Sequence, residues 1–242
     1  MADNRKEQER DELHRTIWGI ANDLRGSVDG WDFKQYVLGM LFYRYISENF
    51  ANYINDGERE AGDATFDYAQ LSDSDAEQAR DDLIKTKGFF ILPSQLFCSV
   101  RSRAPLDENL NETLEAVFQA IEDSAKGSDS EANFSGLFDD IDVNSNKPGG
   151  TVAERNKRLV KLMNGVGDMK LGDYRDNTID AFGDAYEYLM GMYASNAGKS
   201  GGEYFTPQEV SELLTRIAVA GKPEVNKVYE IKPRYLIQNT AA

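Results

Sequence analysis

The sequence predicts a mainly α-helical protein, a helical bundle with at most one short strand or hairpin. Three observations predict it. Apolar residues recur at spacings of three and four along most of the 242 residues, and Ser/Thr-x-x-Glu pairs stand ahead of such stretches. The one strand-like segment is the four-residue run Phe89-Phe90-Ile91-Leu92. With 40% hydrophobic residues the chain has the material for a core, in one large or two small domains.

Leu13, Ile17, Ile20 and Leu24 are spaced 4, 3 and 4 apart, one face of a first helix ending near Gly26. Phe33, Val37, Met40, Leu41 and Tyr45 repeat the pattern in a second, with Asp29 or Asp32 at its positive end. A stretch rich in Gly, Asp and Ser from Asp56 to Ser74 breaks the pattern. Ser74-x-x-Glu77 then reads as a capping box for a short polar helix ending near Gly88. Phe89–Leu92, bounded by Gly88 and Pro93, reads as a brief strand or a buried connector. Leu110, Leu114, Val117, Phe118 and Ile121 line a further helix. Asn144-Ser-Asn-Lys-Pro-Gly-Gly150 is a loop and an internal boundary. Thr151-x-x-Glu154 caps the next helix, with Leu159, Leu162, Met163 and Val166 inward. Ile179, Phe182, Tyr186, Leu189, Met190 and Tyr193 line another, whose aromatic and Met stripe reads as core.

Composition narrows the function. The formal charge of −15 argues against a protein that grips nucleic acid over most of its surface. Eleven acids between Asp107 and Asp142 face one base, Lys126, and read as a solvated face. The opposite bias appears at Arg155, Lys157, Arg158 and Lys161, which have two readings, a solvated helix face or contacts to DNA phosphates. Cys98 and His14 are the only residues of their kinds, so neither a disulfide framework nor a Cys/His zinc cluster can be assembled. Cys98 itself reads as a small buried apolar residue. The charged N-terminus and the lack of an apolar run near the ~18–20 residues that cross a bilayer predict a cytoplasmic protein with no membrane contact.

The segment Gly201-Gly-Glu203-Tyr204-Phe205-Thr206-Pro207-Gln-Glu209-Val210 carries the most chemistry. Thr206 reads as N-cap, Pro207 as the first helical residue and Glu209 as the closing arm of a capping box, for a helix continuing through Leu213, Leu214 and Ile217 to Gly221. Such a helix start offers free N–H groups and a positive dipole end to a carboxylate, with Tyr204 and Phe205 as apolar faces beside it. Gly198-Lys-Ser is not a phosphate loop, because Tyr193 stands where its first glycine belongs. Gly165-x-Gly167 fails as a dinucleotide fingerprint, because Lys170 occupies the third glycine position.

Ile17–Gly26 followed by Phe33–Ser47 resembles the helical N-terminal domain of the modification (HsdM) subunits of type I restriction-modification systems. Tyr186-Glu-Tyr-Leu-Met190 and Gly201–Val210 resemble the join of that domain to the methyltransferase domain. The resemblance implies a helical domain over 1–195, and over 196–242 the first helix of a truncated α/β methyltransferase domain. It implies S-adenosylmethionine as the parent's cofactor and adenine in DNA as its substrate. Its implied partners are DNA, a specificity subunit, a restriction subunit and a second modification subunit. Glu203, Tyr204, Phe205, Thr206 and Pro207 match the family segment that lines the methionine end of the cofactor.

The family's strand after Lys227-Val-Tyr229 runs into an Asp-Pro pair and a glycine-rich turn. Here no glycine follows Gly221, and residues 230–242 are expected to be foreign to the family. The catalytic Asn/Asp-Pro-Pro-aromatic motif is missing, since the six prolines include no adjacent pair. No catalytic residue is therefore assigned, and this chain alone is expected to be inactive and not to bind the cofactor. A helical assembly module or adaptor that binds partner subunits only is the alternative reading.

Overall fold

The structure, a computed structural model, describes residues 2–23, 30–170, 181–196 and 208–221. It separates into two compact units, Met1–Gly198 and Lys199–Ala242. Among the described residues there is no β-strand.

The first unit is organised around a long helix. α1 (Ala2–Asp23), α2 (Gly30–Ala61), α8 (Val152–Asp168) and α9 (Ala181–Asn196) pack on one another as a bundle, and α8 also meets α5 (Phe97–Arg103) and α6 (Leu110–Ser124). Short helices α3 (Asp73–Ala76), α4 (Arg80–Lys87) and α7 (Glu131–Phe134) complete the unit. α2 is the hub because it is apolar on more than one face: Tyr36, Val37, Met40, Leu41, Tyr43, Ile46 and Phe50 are all buried. Helices exposed on one side bury one stripe, as α6 does with Leu110, Leu114, Val117, Phe118 and Ile121.

α2 runs through Asp56-Gly57 to Ala61, beyond the expected break. A single internal glycine costs only about 1 kcal/mol, and Asn55, one turn from the end, accepts a hydrogen bond from Tyr68 N at 2.8 Å. The turn falls instead at Gly62, with φ +110. The polar helix also begins earlier than expected. Ser72, not Ser74, is its N-cap and accepts from Asp75 N at 3.2 Å, so α3 starts at Asp73. α4 ends at Gly88 in the left-handed region, φ 83, as expected of a C-cap glycine.

Phe89–Leu92 is a buried connector and not a strand, and the reason lies in its hydrogen bonds. Phe90 N donates to Ser124 Oγ at 2.9 Å and Ile91 O accepts from the Tyr68 hydroxyl at 2.8 Å, while in the turn that follows Gln95 O accepts from the Tyr43 hydroxyl at 2.6 Å. Helix side chains satisfy the backbone groups that a neighbouring strand would otherwise pair. Burial pushes the Tyr43 and Tyr68 hydroxyls up from their ordinary titration range, which keeps both as donors. Cys98, expected to be buried, is exposed. On α5 the helical period turns Phe97 and Val100 inward and leaves Cys98 between them outside.

α1 is fastened to α9 by an ion pair and a stack. Arg10 Nε donates to Asp184 Oδ2 at 3.0 Å, and the His14 ring lies 3.9 Å from the Tyr188 ring at 11°. Desolvation lowers the His14 pKa, with Asp184 and Asp11 opposing. A lowered value means the unfolded chain takes up this proton first. Stability from this group is therefore full above about pH 6.5, the unfolded value, and is lost as pH falls toward the lower folded value. His14→Phe, which keeps a ring on Tyr188, is expected to flatten the fall in Tm between pH 7 and 5. An unchanged slope would show that His14 does not contribute.

The second unit is described at α10 (Gln208–Val219). Its Val210, Leu213, Leu214 and Ile217 are 44–64% exposed, a continuous apolar face along the helix.

Candidate functional site

The four cations singled out on α8 divide into two pairs. α8 starts where Thr151 Oγ1 accepts from Glu154 N at 3.2 Å, the expected cap. In a helix the Cα–Cβ bonds tilt toward the amino terminus, so Arg155 and Arg158 reach back over the first turn. They meet the Asn144–Gly150 loop there. Arg155 Nη2 donates to Asn146 Oδ1 at 3.1 Å, and Arg158 Nη1 donates to Pro148 O. Arg155 is only 7% exposed. Lys157 and Lys161, four residues apart, are exposed on the outer side of the helix.

The loop lies flat on the helix because Gly149 lacks a side chain: a Cβ there would sit 2.5 Å from Arg155 N and 2.9 Å from Glu154 C. Beneath it is a network of amides. Asn111 N donates to Asn156 Oδ1 at 3.1 Å, Asn111 Nδ2 to Asn144 Oδ1 at 2.5 Å, and Asn156 Nδ2 to Glu108 O at 2.6 Å. Sequence reasoning took residues 144–150 for a boundary and missed that they return onto α8. The available signal was charge. From 146 to 161 the bases Lys147, Arg155, Lys157, Arg158 and Lys161 stand against Glu154 alone.

A second basic place is a cleft of about 470 Å³ lined by Arg44, Glu48, Cys98, Arg101, Asn164 and Gly167. Its guanidiniums are engaged within the fold. Arg44 Nη1 donates to Val166 O at 2.7 Å and Met169 O at 2.8 Å, and Arg101 Nε donates to Asn164 Oδ1 at 3.1 Å with Nη2 on Asp168. Both close off the carboxyl-terminal end of α8, where cations are favoured.

Glu203, Tyr204, Phe205, Thr206 and Pro207 lie outside the described residues. The helix expected after them is present, beginning at Gln208. Among the described residues no cluster of His, Cys, Asp and Glu could hold a metal ion, and no helix is long and apolar enough to cross a membrane.

Residues 13–166 match the HsdM N-terminal domain family and residues 177–232 the N-6 DNA methylase family. The chain is 46% identical over 236 residues to the type I restriction enzyme MpnII methylase subunit of Mycoplasma pneumoniae, across 95% of this chain and 43% of that protein. It is 21% identical over 213 residues to the type I restriction enzyme MjaIX methylase subunit of Methanocaldococcus jannaschii, across 85% of this chain and 35% of that protein. The crystal structure of a type I restriction-modification methyltransferase subunit from Streptococcus thermophilus superposes with a TM-score of 0.69 at 27% identity, covering 88% of this chain and 44% of that one. The chain thus spans less than half the length of the relatives it matches. It belongs to the HsdM family and corresponds to the N-terminal portion of the modification (methylase) subunit of a type I restriction-modification system.

Proposed function

We propose that the parent subunit transfers a methyl group from S-adenosylmethionine to the exocyclic amino group of adenine in DNA, in the cytoplasm. It would work with a specificity subunit, a restriction subunit and a second modification subunit. On this reading residues 1–195 supply DNA- and subunit-contact surfaces, and 196–242 open the methyltransferase domain. The observation that supports it is the 46% identity to a methylase subunit running through both matched families.

The cofactor, when bound, supplies the methyl group. Glu203, Tyr204, Phe205, Thr206 and Pro207 would line its methionine end. The start of α10 at Gln208 suits that role, because first-turn N–H groups have no partner within the helix and attract a carboxylate. The apolar face of α10 suits burial within a completed domain. Lys157 and Lys161, exposed in an otherwise acidic chain, suit contact with DNA phosphates.

The 242 residues hold no adjacent prolines and therefore no Pro-Pro-aromatic grip for a flipped adenine. In a second reading these residues act only as an assembly module that binds partner subunits. The purified chain is expected to give no methyl transfer from labelled S-adenosylmethionine to DNA and no calorimetric signal with the cofactor, while retaining binding to the cognate specificity subunit. Cofactor binding by the chain would eliminate the assembly-only reading. Failure to bind the subunit would remove the assembly role.

A further inference from the structure

The first turn of α8 carries a buried guanidinium that no carboxylate neutralises among the described residues. Arg155 is the fourth residue of the helix and 7% exposed, and its hydrogen bond goes to the neutral amide of Asn146. Among the described residues two buried side-chain nitrogen or oxygen atoms have no hydrogen-bond partner, Arg155 Nε and Asn111 Oδ1. Buried arginines are ordinarily paired with an acid, because removing the charge from water is costly without one. Glu154, next in the chain, is exposed, and its backbone N–H is taken by Thr151.

Two independent features therefore meet at one place. One is the amino-terminal end of a 17-residue helix, led in by Gly149-Gly150 and positive by its peptide dipoles. The other is the unneutralised Arg155 side chain, which points back to that end and reaches the loop there at Asn146. Arg158 lies against the same loop through Pro148 O. Asn146 is exposed, so the amide that covers the guanidinium is at the surface and can be displaced.

We propose that the amino-terminal turn of α8 is a binding site for a phosphate-class oxyanion, held by Arg155 and Arg158 with the first-turn N–H groups of Val152 and Ala153, Asn146 being the group the anion displaces. The proposal rests on the DNA-contact reading of the basic stretch of α8 and deepens it, adding Arg155 and Arg158 beside the exposed Lys157 and Lys161 and naming the chemical group they hold. The anion has two sources, a backbone phosphodiester of DNA or free phosphate.

The test is thermal unfolding of the 242-residue chain in sodium phosphate against sodium chloride at equal ionic strength and pH. Phosphate at ten times its dissociation constant is expected to raise the midpoint by about 3–5 °C. Arg155→Gln is expected to abolish the difference. Because that variant can fail to fold, Asn146→Asp is the second arm. A carboxylate at the position of the amide supplies the missing counterion, so N146D is expected to melt above the wild-type chain in chloride and to lose the phosphate response. Equal phosphate shifts in the wild-type chain and N146D would overturn the site, since phosphate also stabilises proteins generally by exclusion from their surface. No shift in the wild-type chain would overturn it too, leaving a bound water as the occupant. Anisotropy of a labelled 20-base-pair duplex separates the sources. Duplex binding weakened by N146D and competed by phosphate identifies the phosphodiester, and duplex binding indifferent to N146D identifies free phosphate. If no form binds duplex while the phosphate shift persists, the DNA-contact reading fails and the anion site stands.

Discussion

Replacing Phe50 by alanine is expected to lower the unfolding free energy by about 3–5 kcal/mol, the range for removing a fully buried aromatic ring. Phe50 is 0% exposed and sits where α2 meets the connector. Its ring centroid lies 5.7 Å from Tyr68, 5.3 Å from Phe89 and 5.9 Å from Phe90, with the Tyr68 and Phe90 rings edge-on. Edge-to-face pairs add about 0.5–1.5 kcal/mol each beyond the area they bury, and alanine forfeits all of them. The surroundings collapse poorly, because Tyr68 and Phe90 are both held by hydrogen bonds at their own backbones. Phe50→Leu, which leaves a smaller hole, is expected to lose less than half as much. Urea unfolding of the three chains measures this, and a loss below about 1 kcal/mol for F50A would show that the aromatic cluster does not anchor the connector.

Replacing Arg44 by methionine is expected to remove about 2–3 kcal/mol. Methionine keeps the apolar stem against its neighbours, so the loss isolates the head group. That head donates to Val166 O, which also accepts from Met169 N at 3.3 Å, and to Met169 O just past the helix, and it sits at the negative end of the helix dipole. Hydrogen bonds from a charged donor contribute about 1.5–3 kcal/mol each, less where water replaces them. Glu48, bonded to Arg44 Nε at 2.6 Å, is 45% exposed, and Glu48→Ala is expected to cost no more than about 1 kcal/mol. If E48A proved as damaging as R44M, the surface ion pair and not the carbonyl clamp would hold α2 to α8.

These two residues show what periodicity reveals and what it hides. The spacing of Val37, Met40 and Leu41 places a helix correctly and those residues are buried, but Tyr45 of the same pattern and Tyr186 of the α9 stripe, both expected to face inward, are exposed. Nor does the spacing show that Tyr43 and Arg44, off the α2 stripe, reach Gln95 and the end of α8, because those partners are 52 and more than 120 residues away in sequence. The Phe89–Leu92 run was ambiguous for the same reason, since its backbone partners are side chains on other elements. Cys98 reads as buried from its apolar neighbours alone, whereas the period of α5 turns Phe97 and Val100 inward and Cys98 outward. At the candidate site, charge spacing singles out Arg155 and Arg158 but does not show the loop folding back onto them. Lys157 and Lys161, with no such neighbour, are exposed as a solvated helix face requires. Glu203–Pro207, proposed above to line the cofactor, lies outside the described residues, and only the helix that follows it is seen.

The way the connector is held has a consequence for how the first unit opens. The amides of Phe90 and Phe97 are tied to Ser124 on α6 and Ser47 on α2, so neither proton is released when a single helix frays. In native-state hydrogen exchange these two protons should be among the slowest in the molecule, at rates set by concerted loss of the whole unit. An irregular connector and the first residue of α5 thereby become the gauge of cooperativity for the helices around them.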